Sequence, residues 1–251
     1  MLDGIQPGWL NAGNPPQTGA LHESFGDLTA IFLALSQFDQ IEALIAQTKS
    51  NLHDKSFLSD LAEQFGLALG RPNGLRNADN DLKLSQVTSE VHDLSQIFTG
   101  GIYDVLADIF AFERKPAVRD DSVTLFEASA YLRGLLLRAI QASPAVGATF
   151  TDVINQMLIL AAADGKPVQY RNFIRNQFVR REVVVSPTPL NKDQPGIAEL
   201  TDSPHARHAA AQDRSGCCGT MRHEEYTAGA ETLDFGAGEF AESMKKIWTH
   251  R

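Results

Sequence analysis

The sequence predicts a mainly α-helical domain followed by a poorly ordered tail. Apolar residues recur at helical spacing through most of the first 180 positions. Alternating apolar and polar runs are all but missing, with Arg181–Ser186 as the one candidate strand. Beyond Val185 the periodicity stops, and Pro, Gly, Ala, Asp and His replace large apolar residues. These shifts divide the chain into a helical domain over 1–186 and a low-order tail over 187–251, closed by a possible short helix from Phe240 to Trp248.

The elements follow in order. Residues 1–17 are rich in Pro, Gly and Asn and read as a leading loop. Thr18 is the expected N-cap of a first helix carrying Leu21, Phe25, Leu28, Ile31, Phe32 and Leu35. After a break near Ser36–Gln37, Ile41, Leu44, Ile45 and Thr48 continue as a second. Phe57, Leu58, Leu61, Phe65 and Leu69 define a third, stopped by the Gly70–Gly74 turn sequence. A fourth starts near Ser89, its expected cap, and runs from Val91 to Ile109. Gly100–Gly101 interrupts its pattern and predicts a close backbone approach or a bend, since each glycine costs a helix about 1 kcal/mol. A charged loop over 113–121 precedes a fifth helix, Leu125–Ala142, ended before Pro144. Phe150–Ala163 and Val168–Phe178 complete the set.

Composition narrows the function classes. The chain has 251 residues, 43% of them hydrophobic, and a net charge of −9. That charge argues against nonspecific nucleic-acid binding, so no nucleic-acid partner is expected. No apolar run reaches the roughly 18 residues of a membrane span, and no membrane partner is expected. Met1–Gly8 has neither a basic nor an apolar signal region, and the compartment stays open. The two cysteines, Cys217 and Cys218, are adjacent and cannot build a disulfide framework.

The chemistry centres on Gln17-Thr-Gly-Ala-Leu-His-Glu-Ser-Phe-Gly-Asp27. Glu23 and Asp27 stand four residues apart, so on a helix they share a face. On the helical wheel that face lies roughly opposite Leu21, Phe25, Leu28 and Phe32, which predicts a solvated acidic surface. His92 falls at the edge of its own apolar stripe, and Arg76 lies in a polar stretch.

The same segment resembles the Q-S-G-A-[LI]-N-E-A-x-S-D-I segment of the thermolysin family of zinc metallopeptidases, the gluzincins. Val91-His-Asp-Leu-Ser-Gln-Ile-Phe-Thr-Gly-Gly-Ile-Tyr103 resembles the family's V-H-x-N-S-G-I-x-N-x-A-x-Y, matching at His92, Ser95, Ile97 and Tyr103. Gly74-Leu-Arg-Asn-Ala-Asp79 resembles the L-R-S-[LM]-[SR]-[DN] loop. Ala148-Thr-Phe-Thr-Asp152 and Ala161-Ala-Ala-Asp-Gly165 resemble the final helices of the family. The resemblance spans roughly residues 15–180.

It implies that the chain has the fold of the family's C-terminal helical domain and takes part in zinc-dependent hydrolysis of peptide bonds. Glu23 would be the third zinc ligand, and Asp27 would hold a zinc-binding histidine. His92 and Arg76 would stabilise the oxyanion. The implied cofactor is zinc, and the implied partners are a peptide or protein substrate and an N-terminal half carrying H-E-x-x-H. This sequence contains no H-E-x-x-H, so two zinc ligands and the general base would come from that other half. His22, Gly26, Leu94 and Asn14 also stand where the family has Asn, Ser, Asn and often Tyr. The opposing expectation is a non-catalytic helical interaction module or inactive fragment that no longer binds zinc. A second potential ligand set, His205, His208, Cys217, Cys218 and His223, fits no standard zinc module.

Overall fold

The computed structural model describes residues 2–11, 13–61 and 76–183. The tail ligand set and the expected terminal helix lie outside the described residues. The fold is that of the described residues.

It is mainly helical. In chain order the helices are α1 (Leu2–Ile5), α2 (Pro16–Ala34), α3 (Phe38–Thr48), α4 (Val91–Glu113), α5 (Asp121–Ala142), α6 (Phe150–Ala163) and α7 (Val168–Arg180). Helix α4 is the axis. It is buried almost continuously from Leu94 to Phe110, because its apolar residues occupy more than one face. Helices α2, α5 and α7 pack against it, α6 joins α5 to α7, and α3 rests on α5.

The glycine pair in α4 permits close approach and does not end the helix. A Cβ on Gly101 would stand 2.6 Å from the Phe178 ring, and one on Gly100 would stand 2.7 Å from the Asn80 side chain. Phe178 can therefore pack directly on the α4 backbone, beside Phe98 at a centroid distance of 5.5 Å.

Several local expectations are corrected. Helix α2 starts at Pro16, with proline in its first turn and no side-chain cap, as that residue's fixed φ allows. Thr18 is therefore inside the helix, and its hydroxyl donates to the Ala148 carbonyl at 2.8 Å. The cap of α4 is Glu90 and not Ser89. Its carboxylate accepts from the amides of His92 and Asp93, both at 2.9 Å.

The leading segment is not simple loop. It contains α1, and it is fastened to the end of α5 and the turn that follows. Gln6 Nε2 donates to the Ile140 carbonyl at 2.6 Å, and the Trp9 indole N–H donates to the Pro144 carbonyl at 2.9 Å. Trp9 is 1% exposed, so the segment is part of the core.

The third expected helix does not begin at Phe57. Residues 57–59 form a turn, and Asp60–Leu61 (β1) pairs antiparallel with Arg76–Asn77 (β2). The remainder of that expectation, 62–75, lies outside the described residues. The candidate strand at Arg181–Ser186 is also replaced at its start. Arg181 follows α7 as its C-cap, and Glu182 has φ of 62°, a left-handed value that breaks an extended run.

Candidate functional site

Three separate segments carry the four residues singled out from the sequence, and the fold brings them together. Glu23 and Asp27 lie on α2, Arg76 on β2 and His92 in the first turn of α4. Close packing of α2 on α4 is what permits this. A Cβ on Gly19 would come within 2.8 Å of Val91 Cγ1, and Ser24 donates across the seam to the Ser95 carbonyl at 2.9 Å. Seating the seam this tightly places Glu23 beside the α4 N-terminus. The Glu90 cap in turn fixes the turn that holds His92.

The resulting geometry is one ion pair, Arg76 with Asp27, and one histidine–carboxylate contact, His92 with Glu23. His92 Nδ1 stands 3.0 Å from Glu23 Oε2, at a half-exposed position. Arg76 Nη2 donates to Asp27 Oδ1 at 2.8 Å, in a largely buried position. The Thr99 hydroxyl reaches the other oxygen, Asp27 Oδ2, at 3.5 Å.

The acidic face is therefore split. Glu23 reaches solvent as the wheel implied, but Asp27 is 8% exposed and belongs to the α2–α4 interface. Burial raises the Asp27 pKa above the usual carboxylate value. Arg76 opposes that rise, Glu23 adds to it, and Thr99 and His92 pull against it. Arg76 Nε is buried without a hydrogen-bond partner, which leaves its guanidinium incompletely satisfied.

The donors fit part of a zinc centre. A catalytic zinc takes three protein ligands. Glu23 offers a partly exposed carboxylate that lies 3.0 Å from the His92 ring, whereas Asp27 is already held by Arg76. Among the described residues, no cluster of three candidate ligands includes Glu23. These residues alone do not make a zinc site, and the other ligands would have to come from elsewhere.

Sequence reasoning missed a polar network behind this cluster. His53 Nδ1 lies 2.8 Å from Asp79 Oδ1, and Arg181 Nη2 donates to Asp104 Oδ2 at 2.7 Å. Arg181 also donates to Asn80 Oδ1 at 3.0 Å and to the Leu82 carbonyl at 3.1 Å. His53, Asp79 and Asp104 offer ligand atoms within 4.8 Å of one another. Together these bonds fasten the segment after β2, three residues from Arg76, to α4 and the end of α7. Only Asp79 stood within a recognised motif. Nothing in the sequence pattern pointed to His53 or Arg181.

Comparison of the chain with protein-family models, with curated proteins and with solved structures finds no match.

Proposed function

We propose that this chain supplies part of the active site of a zinc-dependent metalloendopeptidase of the thermolysin type. The observation that carries the proposal is the meeting of Glu23, Asp27, Arg76 and His92 from separate segments, with Glu23 and His92 facing solvent. In this reading Glu23 is one zinc ligand, and the H-E-x-x-H half supplies the others and the general base. Bound zinc would supply an activated water. Asp27 holds the Arg76 guanidinium at 2.8 Å, and Glu23 lies 3.0 Å from the His92 ring, so both side chains are positioned before substrate arrives. Donors fixed in this way stabilise developing negative charge without reorganising.

The test is casein hydrolysis by the chain combined with an H-E-x-x-H-bearing half. His92→Ala and Arg76→Ala should each lower kcat by about a hundredfold, the usual effect of removing one oxyanion donor. Hydrolysis that is indifferent to both substitutions would refute the assignment.

A second reading rests on a different feature of the same cluster. Two acids face two bases, so the charges can close on themselves with no ligand. The chain would then be a non-catalytic helical interaction module in which Glu23–His92 fastens α2 to α4 and Asp27–Arg76 fastens α2 to β2. In that case no combination with a second half yields zinc binding, and both substitutions register only as lost stability.

A further inference from the structure

We propose that the seam between α2 and α5 is a binding site for a single-chain amphiphile with a carboxylate head. Phe25, Thr29 and Leu33 follow at four-residue spacing on the flank of α2 turned away from Glu23. With Leu28 and Phe32 they form one wall of a groove of about 170 Å³. Leu136 and Leu137 of α5 form the other. The groove is apolar along its length and open to solvent, and Leu33 at its rim is 63% exposed.

The polar feature that selects the ligand is Arg133, one helical turn before Leu136 and Leu137. Neighbouring arginines have acids of their own. Arg114 pairs with Asp121, Arg119 with Glu127 and Arg138 with Asp164. Among the described residues Arg133 has no such partner. A guanidinium presents parallel N–H donors that match a carboxylate and reject a cation. An apolar trough with an unpaired arginine in its lining thus calls for an apolar body with an anionic head. The volume favours a slender alkyl chain, because pockets for drug-sized ligands run to about 300 Å³ or more.

The test is calorimetric titration of the full chain with decanoate, decanol and decyltrimethylammonium, each below its aggregation threshold. Decanoate should bind tightest and decyltrimethylammonium weakest. Within a carboxylate series, affinity should rise about fourfold per added methylene until the groove is full. Arg133→Gln should weaken decanoate about tenfold and leave decanol unchanged. Leu137→Trp, which fills the groove from its wall, should abolish binding of both. The proposal is overturned if decanoate does not bind, if the three head groups bind alike, or if Arg133→Gln leaves decanoate unaffected. Capture of apolar peptides with free C-terminal carboxylates, without binding of decanoate, would also overturn it.

Discussion

Replacing Arg76 with methionine removes the guanidinium that faces Asp27 and keeps most of the aliphatic stem. Asp27 is 8% exposed and Arg76 Nη2 lies 2.8 Å from its Oδ1, so the substitution leaves a buried carboxylate without its main counter-charge. Removing one partner of a buried pair costs about 3–5 kcal/mol. Two features reduce that here. Thr99 remains within reach of the carboxylate, and Asp27 can take up a proton. A loss of about 3 kcal/mol at pH 7 follows, equivalent to a fall of about 6–12 °C in Tm for a chain of this size.

The sign with pH is fixed by the direction of the shift. Burial already raises the Asp27 pKa, and Arg76 is the largest influence lowering it. Without Arg76 the folded-state pKa rises further above the unfolded value. Stability is then greatest below the unfolded pKa and is lost as pH rises through the folded one. Guanidinium unfolding followed by circular dichroism at pH 5 and pH 7 should show the smaller loss at pH 5. In a double-mutant cycle with Asp27→Asn, the pair should couple by about 2 kcal/mol at pH 7. A loss below about 0.5 kcal/mol, or the same loss at both pH values, would refute the reasoning, because that is the behaviour of an exposed pair.

Two further outcomes follow from the α4 core. Burial pushes the Asp108 carboxyl up to about 6, against a hydrogen bond from Gln177. Its contribution to stability is therefore lost as pH rises from about 4 to 6, by about 2 kcal/mol once its partial exposure is allowed for. Asp108→Asn should flatten that part of the stability curve and raise stability at pH 7, since the replacement amide oxygen still accepts from Gln177; urea titrations across pH 4–7 check this. Gly101→Ala should destabilise by about 1–3 kcal/mol despite alanine's better helix propensity, because the added methyl meets the Phe178 ring at 2.6 Å. Phe178→Leu in the same chain should recover part of the loss, and thermal melts of the three variants decide it.

The helices were legible in the sequence because their apolar spacing is regular, and α5, α6 and α7 end close to where breakers and caps place them. The Gly100–Gly101 pair also carried its meaning, since glycine at the centre of an apolar stripe implies a close neighbour. What escaped was polar. A helical wheel drawn from large apolar residues does not see that Thr18, Ser24 and Asp27 share the buried side of α2, where each finds a partner on a distant segment. Trp9 was hidden by the Pro, Gly and Asn around it, although its ring is anchored in the core. The strand pair is only two residues long on each side, too short to alternate. Glu23, Asp27, Arg76 and His92 were placed in one site by the family resemblance; composition and periodicity alone left each on a solvated face or in a polar stretch, because their meeting depends on long-range packing that no local pattern encodes.

The most direct measurement is zinc titration of this chain mixed with an N-terminal half carrying H-E-x-x-H, read by calorimetry and by bound-metal content. The half-site account predicts one zinc per complex and loss of most of that affinity in Glu23→Ala, with neither half binding zinc comparably by itself. Zinc binding that is equally tight with and without Glu23, or no zinc in any combination while the helical fold stays intact, would contradict it.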